Sequence, residues 1–198
     1  MTKKIAITGG IGSGKSTVLS LLKNGGYSVF SCDEIYKQLL LDREYIEKIE
    51  KLFPSAVQNG QIDRQILANI VFKDKHALEI LNGVAHPLIM ERLYENMQNC
   101  TDMLAFAEVP LLFEGNYQSR FDAVIVVQRA KEERLVAIME RDCLNREEAM
   151  QRISAQFDYN SPVAQKLFSN PNVFLLSNEG TELQLRHNLQ KILQRLSS

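Results

Sequence analysis

The sequence has few cysteines, no long apolar run and no excess of charge of either sign. Its three cysteines, Cys32, Cys100 and Cys143, are odd in number and at least 43 positions apart. This spacing argues against a disulfide framework and against a zinc site. It fits a reducing cytosol, and we therefore expect a cytoplasmic protein.

The lack of long apolar runs argues against a membrane protein, and the balanced charge argues against a nucleic-acid partner. No stretch approaches the roughly 18 apolar residues of a transmembrane helix, and the run after Lys4 is too short for a secretory signal. Formal net charge is −1, so no global basic field would attract nucleic acid. A local cluster of arginines could still hold a small anionic substrate.

The pattern of apolar residues predicts a single α/β domain with an insertion. The chain has 198 residues, of which 45% are hydrophobic, an ordinary globular composition. Short apolar runs alternate with helical segments, which predicts a parallel sheet of five strands with helices on both faces. The predicted strands are Ile5–Ile7, Tyr27–Phe30, Met103–Val109, Ala123–Val127 and Val173–Leu176. Two capping boxes, Asn145–Glu148 and Thr181–Gln184, predict helix starts.

The segment from Glu34 to Cys100 differs from the rest. Its apolar residues recur at helical spacing, which predicts about four helices and no strand. We expect Pro54 and Pro87 to interrupt these helices and Asn59-Gly60 to form a turn.

One motif carries chemistry with a stated mechanism. Gly9–Thr17 matches G-x-x-x-x-G-K-[ST], a phosphate-binding loop between a predicted strand and a predicted helix. Its main-chain amides predict a cradle for ATP phosphates, the alternative being a glycine-rich turn that binds nothing. The residues expected to bind the nucleotide here are Gly10, Ile11, Gly12, Ser13, Gly14, Lys15, Ser16 and Thr17.

Two side chains of this motif have specific predicted roles. Lys15 is long enough to reach the β- and γ-phosphate oxygens, which makes it a catalytic candidate. The hydroxyl of Ser16 is the predicted Mg²⁺ ligand. Neither Asn-Lys-x-Asp nor a suitably placed Asp-x-x-Gly is found, which argues against a GTPase, and a large ATPase would need a longer chain.

An acidic residue follows the second predicted strand. Since the carboxyl ends of parallel strands face the ligand crevice, Asp33 is placed to accept a proton from a substrate hydroxyl. Position alone leaves open the alternative that Asp33 caps the helix that begins near Glu34.

The motif and four further segments resemble the dephospho-CoA kinase family along nearly the whole chain. Each segment alone is weak, but their order and approximate spacing agree. The segments are Thr8–Thr17, Cys32-Asp33, Ile62–Phe72, Ala85–Ile89 and Val109–Glu114.

The resemblance implies ATP- and Mg²⁺-dependent phosphorylation of the ribose 3′-hydroxyl of dephospho-CoA. It implies a three-layer P-loop NTPase fold in which residues 1–33 and 101–198 form the nucleotide-binding core. Residues 34–100 would then be a helical acceptor-binding insertion and about 133–157 a helical lid. We expect a monomer or weak homo-oligomer.

Site residues carry over from the resemblance by position. Asp33 becomes the expected base, and Arg141 the expected lid arginine. For Arg134, Arg146 and Arg152 a solvated helix face is favoured, and a contact to the transferring phosphoryl group stays open as the alternative. The other expected contacts are Asn178 and Gly180 beside adenine, and Arg64, His86 and Leu111 at the acceptor. Structural alternatives stay open for Arg64, in helix capping with Asp63, and for His86, at a neighbouring helix end.

The chain departs from the family in places. Ser31 stands where the family usually has an aspartate, and residues 157–172 diverge from the family pattern. Glu108, at the end of the third predicted strand, is an open candidate for holding a water molecule bound to Mg²⁺. Two other functions compete, a nucleoside or nucleoside-monophosphate kinase and a non-catalytic ATP-binding regulator.

Overall fold

The computed structural model describes residues 2–197. The chain forms two compact units, one made of the residues up to Phe30 and from Asn99 onward, the other of Ser31–Gln98. Across the described residues, no helix is both long and apolar enough to cross a bilayer.

The first unit is built on a five-stranded parallel sheet, as the sequence predicts. The strands are β1 (Lys3–Thr8), β2 (Ser28–Ser31), β5 (Leu104–Glu108), β6 (Ala123–Gln128) and β7 (Val173–Ser177). Their order across the sheet is β2-β5-β1-β6-β7. Ile5, Ala6 and Ile7 of the central strand are all 0% exposed, because a strand covered on both faces buries successive side chains rather than alternate ones.

Within residues 2–197, five α-helices belong to this unit. They are α1 (Lys15–Asn24), α6 (Lys131–Asp142), α7 (Arg146–Ser154), α8 (Pro162–Phe168) and α9 (Glu182–Leu196). Both predicted capping boxes are confirmed, at the starts of α7 and α9. Helix α7 ends at Ser154, and Gln156, two residues later, hydrogen-bonds to Ile11.

Helix α9 begins with a capping box and packs its apolar face against the core. Leu185, Leu189, Ile192 and Leu196 lie on one face and pack against the sheet. The Thr181 side chain accepts a hydrogen bond from the Gln184 N–H at 3.3 Å, and the Gln184 side chain accepts one from the Thr181 N–H at 2.9 Å.

Replacing Thr181 by alanine is therefore expected to lower the free energy of unfolding by about 1 kcal/mol. The alanine leaves a first-turn N–H without its acceptor. Urea unfolding followed by circular dichroism measures the change, and Thr181→Ser, which keeps the hydroxyl, is the control. Equal stability of the two variants would show that the cap contributes nothing.

The second unit is mainly helical, with four α-helices as predicted. They are α2 (Cys32–Leu39), α3 (Arg43–Leu52), α4 (Arg64–Lys73) and α5 (Lys75–Gln98). The helix α5 contacts both α2 and α4, and Arg92 of α5 forms an ion pair with Asp42, the N-cap of α3.

The expectation that this segment lacks strands is wrong in one place. Two short antiparallel strands, β3 (Val57–Gln58) and β4 (Gln61–Ile62), flank the predicted turn. Asn59 and Gly60 have φ of 51° and 72°, the left-handed pair that a tight hairpin turn requires. A strand of two residues is too short to show the alternation of apolar and polar residues by which strands are predicted.

The expectation that Pro87 interrupts the helix is also wrong, because α5 continues through it. Proline removes one N–H donor and leaves the carbonyl four residues earlier, that of Gly83, without its helical partner. Gly83 is exposed, so water can bind that carbonyl. The buried residues Ala85 and Ile89 on either side keep the segment helical through packing.

Candidate active site

A glycine-rich loop, residues 9–14, joins the end of β1 to the start of α1. Gly12 and Gly14 have φ of 77° and 92°, a conformation that residues with a side chain rarely adopt. A Cβ atom on Gly12 would lie 2.7 Å from the Arg134 carbonyl oxygen, and one on Gly14 would clash with the Asn178 amide. The loop conformation therefore depends on glycine at both positions.

The N-terminus of α1 opens from this loop without a side-chain cap. Its N-cap residue is Gly14, and its first turn, Lys15–Thr17, contains no acidic residue. The first N–H groups of a helix have no acceptor within the helix, and they lie at the positive end of the helix dipole. This end of α1 can therefore bind a phosphate group through its main chain.

The lysine of the loop folds back over the residues before it. Lys15 Nζ donates to the carbonyl oxygens of Gly9 and Gly10, at 2.8 and 3.3 Å. These bonds hold the ammonium group beside the loop. Ser16 and Thr17 are exposed, so their hydroxyl groups are accessible. The loop and first turn thus fit a polyphosphate, with donors, a cation and an accessible hydroxyl.

The peptide groups on both sides of Ile11 are held by two distant side chains. The Ile11 N–H donates to Gln156 Oε1 at 2.6 Å, and the Ile11 carbonyl accepts from Arg134 Nε at 2.9 Å. Arg134 lies on α6, and Gln156 follows α7. The predicted lid region therefore contacts the phosphate-binding loop at two points. One contact comes from α6 itself, and the other comes from a residue just after α7.

Two more side chains support the loop from other directions. Asn178, just after β7, donates from Nδ2 to the Ser13 carbonyl at 2.8 Å. The Tyr159 hydroxyl lies 3.3 Å from Thr8 Oγ1 at the end of β1. Burial raises the pKa of Tyr159, so this hydroxyl keeps its proton at neutral pH and can donate.

A cleft of about 230 Å³ opens beside the loop. Gly10 and Ser13 form part of its wall, together with Arg129, Lys131, Arg134, Tyr159, Asn160 and Glu179. Ser13 Oγ is buried and, within residues 2–197, has no hydrogen-bond partner. A basic cleft next to an uncapped helix N-terminus is suited to an anionic ligand such as a nucleotide polyphosphate.

Arg141, the lid arginine that the sequence favours, forms an ion pair with a carboxylate of its own helix. Arg141 donates from Nε and Nη2 to the carboxylate of its neighbour Asp142, at 2.7 and 3.0 Å. Arg152 binds the same carboxylate at 2.7 Å. Hydrogen bonding from Arg141 lowers the pKa of Asp142, which stays ionised near neutral pH. Arg146 pairs with Glu132.

Gly180, predicted to lie beside adenine, has a local structural role. Its φ is 92°, and a Cβ there would clash with the Gln184 side chain that completes the capping box of α9. Asn178 does reach the loop, but its amide binds the Ser13 carbonyl.

The segment after β5 contacts the residues that follow α7. Glu114 Oε1 accepts from the Phe157 N–H at 3.1 Å. The Phe113 ring packs against Phe157 and Tyr159, with centroid distances of 5.2 and 6.2 Å. Leu111, a predicted acceptor contact, is 38% exposed on this segment.

In the second unit, the alternative that Asp33 caps α2 is wrong. The N-cap is Ser31, whose Oγ accepts a hydrogen bond from the Asp33 N–H at 3.2 Å. Ser31 therefore takes the capping role, and Asp33 lies exposed in the first turn of α2. Its carboxylate is not required to begin the helix.

Arg64 and His86 occupy different surroundings in this unit. Arg64 is the exposed first residue of α4, and Asp63 caps that helix by accepting from the N–H groups of Gln65 and Ile66. The guanidinium of Arg64 is therefore not needed for capping. His86 is half-buried inside α5, and burial lowers its pKa, so it is neutral at pH 7 and would bind a ligand by hydrogen bonding rather than by charge.

The structure thus brings together the loop, Lys15 and Asn178 among the predicted residues, and adds three that sequence reasoning missed. These are Arg134, Gln156 and Tyr159. Arg134 is one of the four lid arginines, for which the sequence favours a solvated helix face, whereas the structure places it on the Ile11 carbonyl. No local motif identifies Gln156 or Tyr159, which lie in or next to the divergent segment 157–172.

Comparisons with known proteins identify the family of this chain. The family model for dephospho-CoA kinase matches residues 3–175. A protein from Thermus thermophilus named dephospho-CoA kinase is 37% identical over 193 residues, which cover 98% of this chain and 91% of the relative.

Two solved structures are similar along the whole chain. A crystal structure of a Thermus thermophilus protein is 36% identical with a TM-score of 0.80, over 100% of this chain and 99% of the other. A dephospho-CoA kinase from Campylobacter jejuni is 29% identical with a TM-score of 0.66, over 98% and 97% of the two chains. With the loop geometry, these matches show that the chain belongs to the dephospho-CoA kinase family.

Proposed function

We propose that this kinase transfers the γ-phosphoryl group of ATP to the ribose 3′-hydroxyl of dephospho-CoA, giving coenzyme A and ADP. The observation that carries the proposal is a phosphate-binding loop with an uncapped helix N-terminus, in a chain that matches dephospho-CoA kinases over nearly its full length. A nucleoside-monophosphate kinase would share the loop, but not the family match.

The loop residues bind and orient the polyphosphate. The main-chain amides of residues 10–17 surround the β-phosphate, and Lys15 reaches the β- and γ-phosphate oxygens. Its present bonds to the Gly9 and Gly10 carbonyls show that Nζ already lies beside the loop. Phosphoryl transfer depends mainly on such positioning and on stabilising charge.

The Ser16 hydroxyl is the proposed Mg²⁺ ligand. It is an oxygen ligand, it is accessible, and it follows Lys15 directly. Bound Mg²⁺ would neutralise charge on the β- and γ-phosphates. Asn178 and Gly180 are the proposed residues beside adenine.

The second unit, proposed as residues 34–100, supplies the acceptor-binding residues. We assign Asp33, which ends the first part of the proposed nucleotide-binding core (residues 1–33), as the general base that takes the proton of the 3′-hydroxyl. Arg64 is assigned to an acceptor phosphate and His86 to a hydrogen bond, with Leu111 of the core at the acceptor as well. Residues 133–157 form the proposed lid, in which Arg141 would act only after leaving Asp142.

We also propose that the chain works in the cytoplasm, as a monomer or weak homo-oligomer. The support for the compartment is compositional, since three cysteines at least 43 positions apart fit a reducing environment.

A panel of acceptors tests the function. We expect ADP release, followed by a coupled assay, with dephospho-CoA and not with AMP, CMP, UMP or dTMP. Mass spectrometry should show one added phosphoryl group on dephospho-CoA. Coenzyme A is the matched control, since its 3′-position already carries phosphate.

Turnover with a monophosphate alone would overturn the assignment of the acceptor. ATP binding without transfer to any acceptor would favour a regulator instead.

A further inference from the structure

The Arg134 side chain has two ends with different surroundings. Its Nε donates to the Ile11 carbonyl at 2.9 Å. Its terminal Nη groups pack against Gly10, where a Cβ atom would collide with them. Gly10, Ser13 and Arg134 line the same cleft. The inner part of the guanidinium therefore holds the loop, and the outer part faces the space beside it.

Among the described residues 2–197, no carboxylate serves as a counterion for Arg134. The side chain is half-buried. The other cleft arginine, Arg129, is paired with Glu133 at 2.8 Å, and Glu179 on the cleft wall is exposed. Partial removal of a cation from water without a counterion costs free energy, so this half-buried guanidinium is suited to binding an anion.

Arg141, the lid arginine favoured from sequence, is exposed and already has a counterion. Arg141 is 61% exposed at its side chain and already binds Asp142. Recruiting Arg141 to a ligand would require that pair to break, whereas Arg134 is in place beside the loop.

We propose that Arg134 binds the polyphosphate of the nucleotide through its two Nη groups while its Nε fixes the Ile11 carbonyl. The inference rests on the proposed use of ATP, and it adds a phosphate-contacting residue that the motif does not contain. A guanidinium presents parallel donors to phosphate oxygens, which lysine at the same position would not reproduce.

Two substitutions separate the two ends of the side chain. In Arg134→Gln, the amide nitrogen occupies nearly the same place along the side chain as Nε, so the bond to Ile11 can persist without the Nη groups. Arg134→Ala removes both contacts. Arg146→Ala is the matched control, because it removes an equal charge from an exposed residue of the neighbouring helix that pairs with Glu132.

Isothermal titration with Mg²⁺ and the β,γ-methylene analogue of ATP measures the effect without an acceptor. We expect Arg134→Ala and Arg134→Gln each to weaken binding about tenfold or more, since charge-assisted hydrogen bonds are lost. Binding of adenosine should change less than about twofold, and Arg146→Ala should behave as the parent chain.

Near-parental affinity of Arg134→Gln for the analogue would overturn the proposal, because the Nε contact alone would then suffice. Thermal unfolding of each variant shows whether it is folded at the assay temperature. If the alanine variant is unfolded, the affinity of the glutamine variant decides the question. Because no acceptor is present, a failure of the dephospho-CoA assignment would leave this test intact.

Discussion

Lys15→Ala is expected to lower kcat/KM by about 10²–10³-fold or more while leaving the protein folded. Removing one donor that stabilises charge developing in a transition state typically has an effect of this size. Lys15 is the cation that the loop motif places at the β- and γ-phosphates, and its Nζ already lies beside Gly9 and Gly10. The loss should appear mainly in kcat, because charge grows on the phosphate oxygens as the bond breaks.

The fold should survive this change because Lys15 is not a core residue. The buried residues of α1 are Val18, Leu19 and Leu22, and they stay in place. The side chains of Arg134, Gln156 and Asn178 still bind the loop. The thermal midpoint is therefore expected to stay within a few degrees of the parent value.

Lys23→Ala is the matched control for Lys15→Ala. It removes an equal charge from the exposed last turn of the same helix, so kcat should be near the parental value. Steady-state kinetics with dephospho-CoA and ATP give both comparisons. A Lys15→Ala enzyme with kcat within about fivefold of the parent would contradict the role assigned to this lysine.

The phosphate-binding loop could be predicted from sequence because its determinants are local. Glycines at fixed positions, a following lysine and a short strand before them specify a loop conformation within a few residues. The capping boxes at Asn145 and Thr181 are local in the same way, and both are confirmed. The five strands were predictable because each is a short apolar run between helices.

The supports of the loop could not be predicted, because their partners are remote in sequence. Ile11 binds Arg134, 123 positions later, and Gln156, 145 positions later. Nothing in the residues around Arg134 distinguishes it from Arg141 or Arg152, which the structure shows bound to Asp142. Which arginine of a helix reaches a loop depends on how that helix packs, and sequence spacing alone does not give this.

The two wrong expectations in the second unit have different physical causes. Local propensity predicts a break at Pro87 but is a weak guide where tertiary packing acts, whereas the turn at Asn59-Gly60 is confirmed and only its flanking strands are missed. Buried residues around Pro87 keep α5 helical, and the hairpin strands are too short to show a period. The capping alternative for Asp33 is wrong for a local reason, because α2 begins at Cys32 and Ser31 is its N-cap.

Asp33→Asn is expected to lower kcat by about 10²-fold or more with a modest change in ATP affinity. Asparagine keeps the size of the side chain but cannot accept the proton of the acceptor hydroxyl. Because Ser31 caps α2, the substitution should not disturb the start of the helix. Any loss of activity would then report on the carboxylate itself, which is why the capping geometry makes this experiment decisive.

Glu34→Gln is the control for Asp33→Asn, because it removes the same charge from the next exposed residue of the same turn. Both variants change the charge at the helix N-terminus equally, so a difference in kcat between them isolates the role of position 33. Titration with the ATP analogue should give similar affinities for the two variants and the parent. If Asp33→Asn and Glu34→Gln have the same kcat, Asp33 is not the base, and the proton of the acceptor hydroxyl must leave by another route.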